Sequence, residues 1–275
     1  MLFQQLNPHE LQLYFNRIGC YPEQLACLDT LQQINVCHVQ AIPFENLNAF
    51  LGLPVPLDKT NLLHKMVKSQ RGGYCYEHNL LLGNVLTSLG FAVQGLAARV
   101  GWMLPVDTKM PRTHMLLLVT VAGKDYIADT GFGGLNMPTP LLLEECNTQH
   151  STHAKFRIEQ TGNNYSLFVL MKSDWQIVYS FTRSPQLEVD YELANWYVAT
   201  HPQSRFVNNL IAGRMYVDGR HTLLNQFYTH YNLHHDAEKK VLDSPTAIKA
   251  VLAECFLLDV NGLPNLDTRL ASFFS

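Results

Sequence analysis

The sequence predicts an α+β fold in three consecutive blocks: helical over residues 1–90, antiparallel β over 91–200 and mixed over 201–275. Three observations predict it. Apolar residues recur at helical spacing between capping signals through the first ninety positions. From Phe91 they fall into short runs separated by turn residues. Beyond residue 200 a hairpin pattern is followed by a capped helix. No internal repeat or low-complexity linker interrupts the 275 residues, which are ample for a large core.

The helices come first. Asn7-Pro8-His9-Glu10 sets a capping residue before a proline at the first helical position and a glutamate at the third. Leu11, Tyr14, Phe15 and Ile18 follow on one face until Gly19 stops the run. A second helix is expected from Asp29, carrying Leu31, Ile34 and His38 and ending before Pro43. Asp58 is expected to cap a third, bearing Leu62, Met66 and Val67 and running to Gly72-Gly73. The fourth starts near Tyr74 and carries Leu82, Val85, Leu86 and Leu89 to Gly90.

Strands are expected at Val93 to Trp102, Met115 to Val121, Asp125 to Ala128, Phe156 to Glu159, Tyr165 to Met171 and Gln176 to Phe181. Ala122-Gly123-Lys124, Thr161-Gly162-Asn163-Asn164 and Lys172-Ser173-Asp174 suit hairpin connections. Sequential strands on short turns favour an antiparallel barrel or sandwich over a parallel sheet. Arg214 to Val217, a turn at Asp218-Gly219 and Thr222 to Leu224 form a further hairpin. Ser244-Pro245 then caps a helix bearing Ile248, Val251, Leu252 and Cys255.

Composition narrows the function classes. The chain is 47% hydrophobic and 16% charged with a net charge of −3, so no broad basic surface awaits nucleic acid or an anionic membrane. No run approaches the roughly 18 apolar residues of a membrane span. Met1 to Gln5 lack the basic flank and apolar stretch of a secretory signal, so the expected compartment is the cytoplasm. Cys20, Cys27, Cys37, Cys75, Cys146 and Cys255 include no Cys-x-x-Cys pair and are expected to be free thiols.

Cys75 stands apart. In Arg71-Gly72-Gly73-Tyr74-Cys75-Tyr76-Glu77-His78-Asn79 it opens the fourth helix, and the glycines are expected to turn the chain sharply and bring its backbone close to a ligand. First-turn amides favour a thiolate, but a helix terminus is worth only about 0.3–1 kcal/mol against about 1.4 kcal/mol per pKa unit. Ionising a thiol of pKa about 8.5 at neutral pH therefore requires an imidazolium partner. His114, at the mouth of the most apolar strand, is the candidate. The turn at Ala122-Gly123-Lys124 pairs Met115 roughly with the Asp129 region, from which Asp129 reaches the imidazole and selects its tautomer. Cys75, His114 and Asp129 thus form one expected catalytic constellation.

Other groups rank lower. His230, His234, His235 and Asp236 have ligand-like spacing, but they lie in a polar stretch, Thr229 to Lys240, expected to be an irregular solvated loop. No metal is expected. Gly131-Phe132-Gly133-Gly134 lacks the strand, helix and lysine of a phosphate loop.

At these residues the chain resembles the arylamine N-acetyltransferases over nearly its full length. The Arg71–Asn79 segment resembles the family's nucleophile motif, and Ile42-Pro43-Phe44-Glu45-Asn46-Leu47 its upstream segment. Arg112-Thr113-His114 and Asp129-Thr130-Gly131-Phe132-Gly133 resemble its histidine and aspartate segments. Asn195-Trp196-Tyr197 and the stretch from Thr200 to Val207 are similar to its later signature. The resemblance implies a helical bundle, a β-barrel and an α/β lid around a cysteine-protease-like core, with Cys75 as nucleophile, His114 as base and Asp129 as orienter. It also implies acetyl-CoA as donor and a small arylamine as acceptor, with arylhydrazines or N-hydroxyarylamines as further acceptors. Phe44, Val100 and Phe132 would line the acceptor pocket, and Trp102, Thr113 and Phe206 would contact coenzyme A. Gly134 and Leu135 after the Gly-Phe-Gly loop, and the compact length, resemble bacterial members. An amide synthase, or a hydrolase using the same three groups, is the alternative.

Overall fold

The computed structural model describes residues 2–23, 25–105, 108–145, 147–233 and 236–274. The expected thiol at Cys146 lies outside them.

Local capping sets the first helices. In α1 (Pro8–Ile18) the Asn7 side chain accepts from the Glu10 amide while the Glu10 carboxylate accepts from the Asn7 amide, and Gly19 closes the helix at φ 64°. α2 (Leu28–Ala41) buries Leu31, Ile34 and His38. A two-residue strand, β1 (Phe44–Glu45), and a short helix, α3 (Leu47–Phe50), follow. Asp58 caps α4 (Lys59–Leu62), which continues as π-helical turns over Leu63–Lys68.

Here the structure corrects one expectation. The helix stops at Lys68, with Gln70 at φ 50°, because Arg71 to Gly73 run beside β1 instead. Glu45 N–H donates to Gly73 O at 2.8 Å, and Phe44 bridges Gly73 in parallel. A Cβ on Gly72 would lie 2.0 Å from Pro43 O. Gly72 and Gly73 therefore serve close approach to the chain's own strand, and neither has positive φ. The nucleophile motif then enters α5 (Cys75–Ser88), buried almost throughout.

The β block is one antiparallel eight-stranded sheet. Its strands are β2 (Ala92–Val100), β3 (His114–Val121), β4 (Lys124–Ala128), β5 (Leu141–Leu142), β6 (Gln149–His150), β7 (Lys155–Thr161), β8 (Asn164–Met171) and β9 (Asp174–Thr182). Their order is β5-β4-β3-β2-β9-β8-β7-β6. The Gln149 side chain links the two edges, accepting from Leu142 N–H at 2.7 Å and donating to Leu142 O at 2.8 Å. The result is a nearly closed barrel. Between β3 and β4, Ala122 (φ 48°) and Gly123 (φ 76°) make a two-residue turn of left-handed residues, the geometry that matches strand twist.

Strand β3 feeds two cores by its period of two. Met115, Leu117 and Val119 pack against the helices, while Leu116 and Leu118 enter the barrel.

After the barrel come α6 (Glu188–Thr200) and α7 (Arg205–Asn208), neither expected from the sequence. A second sheet holds β10 (Ile211–Tyr216), β11 (Gly219–Leu224), β12 (Phe227–Asn232) and β13 (Ala237–Val241) in the order β1-β10-β11-β12-β13. Its first strand is borrowed from the N-terminal block, Phe44 pairing with Gly213. Helices α8 (Pro245–Glu254) and α9 (Leu266–Ala271) pack with it around a third core.

The Thr229 to Lys240 stretch is a second correction. Most of it forms β12 and β13, paired from Phe227–Val241 to Tyr231–Ala237. Backbone pairing to β11 makes strands of residues whose side chains lack an apolar alternation. His230 stacks on His221 at 5.1 Å, and Tyr216 O–H bonds its Nε2. His234 and His235 lie outside the described residues. Among the described residues, no helix is long and apolar enough to cross a membrane.

Candidate active site

Cys75 occupies the first position of α5, where Tyr74 N–H is capped by the Glu77 carboxylate at 3.0 Å. The side chain is 3% exposed, and as a thiol it donates to Thr113 O at 3.7 Å. Thr113 precedes His114 at the start of β3, so the sulfur lies against the strand carrying the imidazole. His114 Nε2 meets Asp129 Oδ2 at 2.7 Å. That leaves Nδ1 unclaimed by Asp129, and the nearby Cys75 sulfur favours the charged form of the ring. Asp129 follows β4, opposite the N-terminal half of β3, because the Ala122-Gly123 turn aligns Leu117 with Ala128. The structure thus brings Cys75, His114 and Asp129 together.

Burial opposes a charge on His114, but the Asp129 carboxylate, by its charge and hydrogen bond, and the Cys75 sulfur outweigh it and raise the imidazole to about 10. Burial likewise opposes ionisation of Asp129, yet His114, the Asn79 amide and Gly131 N–H hold it below the usual carboxylate range. The environment of His114 therefore favours the imidazolium form, the kind of partner a cysteine nucleophile needs.

The remaining expected residues spread around this centre. Phe132 meets His114 edge-on with ring centroids 5.3 Å apart. Phe44 lies over Gly133, where a Cβ would sit 3.2 Å from its ring, and is 6.1 Å from Phe206. Val100 closes β2 opposite Tyr179. Trp102 packs on the barrel core with Phe132, whereas Phe206 packs on the helical side and against Tyr74 at 5.7 Å. Thr113 presents its carbonyl to the sulfur. A cavity of about 470 Å³ adjoins Tyr76 and Thr113 and is walled by Tyr191, Trp196 and Tyr197. It is not lined by Phe44, Val100 or Phe132.

Sequence reasoning missed three groups. Beneath the cysteine turn, Arg71 donates to Glu45 Oε1 from Nη2 at 2.8 Å, and Lys65 bridges Glu45 (3.6 Å) and Glu77 (2.7 Å). Burial opposes the Glu45 charge, but Arg71 and Lys65 bring its carboxyl down to about 2. No sequence spacing announces this network, since its members come from separate elements. Buried Tyr14, His38 and His78 form a second chain. Asn79 is the third, and here a signal existed: it lies one helical turn after Cys75 on the same face.

Residues 27–264 match the N-acetyltransferase family. An arylamine N-acetyltransferase of Mycolicibacterium smegmatis is 42% identical over 214 residues, 76% of this chain and 78% of the relative. One from Mycobacterium bovis is 38% identical over 268 residues, covering 95% and 94%. The structure of the Mycobacterium marinum arylamine N-acetyltransferase in complex with CoA superposes with TM-score 0.91 at 35% identity, covering 95% of this chain and 98% of that one.

Proposed function

The chain belongs to the arylamine N-acetyltransferase family and is an acyltransferase, and from that premise we propose that it moves an acetyl group from acetyl-CoA to an arylamine through an acetyl-Cys75 intermediate. The observation that carries this reading is a helix-opening cysteine set against the start of the strand whose first residue is an imidazole held 2.7 Å from a buried carboxylate.

In the proposed first half-reaction the Cys75 thiolate attacks the carbonyl carbon of the acetyl thioester. The C–S bond to coenzyme A breaks, and the His114 imidazolium gives its proton to the departing thiolate. Histidine is then neutral and oriented by Asp129. An incoming arylamine, unprotonated near neutral pH because it is weakly basic, attacks the acetyl-Cys75 carbonyl. His114 takes a proton from its nitrogen, the amide leaves, and the thiolate–imidazolium pair is restored. Exchange of one thioester for another preserves the activation of the acetyl group.

Phe44, Val100 and Phe132 are proposed walls of the acceptor site, with the Phe132 edge against His114 presenting an aromatic surface beside the base. Trp102, Thr113 and Phe206 are proposed contacts for coenzyme A, whose binding is supported by the complex of the M. marinum relative. Arylhydrazines and N-hydroxyarylamines are proposed as further acceptors.

Intact mass after incubation with acetyl-CoA tests the intermediate. One added acetyl group is expected in the native chain and none in Cys75→Ala. Double-reciprocal plots at varied acetyl-CoA and aniline are expected to be parallel. Intersecting lines together with an unmodified Cys75 would defeat the covalent scheme. No acetylation but reaction with a long carrier-type thioester would transfer the same three residues to amide synthesis.

A further inference from the structure

Asn79 touches both other segments of the site from the helix that bears Cys75. Its side chain is fully buried. Nδ2 donates to Met115 O at 2.7 Å, on the strand of His114, and to Asp129 Oδ1 at 3.0 Å. Oδ1 accepts from Thr130 N–H at 3.2 Å. The amide has one workable orientation. Flipping it would set oxygen against a carbonyl and a carboxylate, and NH2 against an N–H.

Asp129 is consequently held at both oxygens. Oδ2 meets His114, while Oδ1 accepts from Asn79 and from Gly131 N–H at 2.9 Å. Gly131 in turn closes on the nucleophile's backbone: a Cβ there would lie 2.5 Å from Cys75 Cα and 2.9 Å from Asn79 Nδ2. One amide therefore sets how the Asp129 loop, the His114 strand and the Cys75 helix sit against each other.

We infer that Asn79 is a positioning residue for acetyl transfer, aiming the Asp129 carboxylate at His114 and so fixing the imidazole beside the cysteine helix. The inference rests on the proposed roles of Cys75, His114 and Asp129. Asn79 contacts no reacting atom. It acts through Asp129, whose ionisation it favours by donating to the carboxylate.

The test is the pH dependence of Cys75 alkylation by iodoacetamide, read by peptide mass spectrometry, together with the rate of enzyme acetylation by acetyl-CoA. The native protein is compared with Asn79→Ala, Asn79→Leu, Asn79→Ser, Asp129→Asn and the double variant Asn79→Ala/Asp129→Asn. The alkylation limb reports thiolate formation, so loss of overall stability alone does not move it. Removing the amide is expected to shift that limb to higher pH by about one unit and to slow acetylation about tenfold at neutral pH. Asn79→Leu keeps the volume and is expected to behave like Asn79→Ala. Asn79→Ser, the mildest change, is expected to shift the limb in the same direction and is read if the other two do not fold. The double variant is expected to match Asp129→Asn alone. An unmoved limb in folded Asn79 variants, while Asp129→Asn moves it, would overturn the positioning role and leave the triad standing. Additive shifts in the double variant would overturn it too. If Asp129→Asn itself moved nothing, the proposed triad would fall, and this inference with it.

Discussion

Two buried histidines near the cysteine turn are shifted in opposite directions, and the contrast shows what sets the basicity of an imidazole here. His78, on the cysteine's own helix, and His114, on β3, are 0% and 4% exposed. Desolvation weighs on both. His78 has no carboxylate within hydrogen-bonding reach: its Nδ1 faces His38 Nε2 at 2.9 Å and its Nε2 faces Pro43 O at 3.1 Å. The carbonyl fixes Nε2–H as donor, so His38 Nε2–H donates to His78 Nδ1, and Tyr14 O–H donates to His38 Nδ1 at 2.8 Å. Every nitrogen in that chain is satisfied in the neutral form. Burial lowers His78 to about 4. At His114 a carboxylate replaces the carbonyl, and the imidazole rises to about 10. Depth of burial is common to both; the acceptor's charge decides.

Substituting Asp129→Asn removes that decisive charge and should have the largest effect. Steady-state acetylation is expected to fall by about 10³-fold or more in kcat/KM, as when an orienting carboxylate is lost from a triad. Near-native activity would erase the distinction between the two histidines.

A smaller effect is expected from His38→Leu, which leaves buried Tyr14 and His78 groups unpaired. A loss of about 1–3 kcal/mol in stability should appear in denaturant titration, with acetyl transfer per folded molecule retained. A selective loss of turnover would give the helical chain a chemical role.

The pH dependence of unfolding should separate the two sites by sign. The His78 pKa is depressed in the fold, so its contribution is full above the unfolded value of about 6.5 and is lost as pH falls toward about 4. The His114 pKa is raised, so its contribution is full below about 6.5 and is lost as pH rises through about 10. Glu45, held at about 2, loses its share only at lower pH, between the usual carboxylate range and about 2. Urea titrations from pH 4 to 10 are expected to show an alkaline loss that disappears in Asp129→Asn.

The smallest effect sharpens the barrel side alone. Phe132→Leu removes the ring edge at His114 and is expected to cost a few-fold in kcat/KM for anilines. Stability should change little, because Phe132 is only partly buried.

Much of this was legible in the chain because its signals are local. The Asn7–Glu10 capping box, the Ala122-Gly123 turn and the apolar run along β3 each involve neighbours in sequence. That turn also brings Asp129 near His114, since the register of a two-residue hairpin follows from its loop. By contrast, β13 reads Ala-Glu-Lys-Lys-Val, is exposed throughout, and is a strand only because β12 offers it a ladder. In α6 the apolar Leu187, Leu193 and Trp196 at its edge and surface are exposed, while Asn195 is buried and donates to Val55 O at 2.9 Å. Its buried face, Tyr191, Asn195, Val198 and Ala199, reads no more apolar than its exposed one, so the pattern does not single out an inward side.

By itself the amino-acid order determined the α+β class, the Asn7–Glu10 cap, the Ala122-Gly123 hairpin and the candidate side chains Cys75, His114 and Asp129. Tertiary structure alone decided that Gly72 meets Pro43 rather than a ligand, that Lys65 joins Glu45 to Glu77, and that Asn79 spans two strands' ends. The reason is physical. Caps and turns are short-range hydrogen bonds within a few residues, whereas charge states and close approaches arise between segments tens of residues apart, and they exist only once burial has brought those segments together.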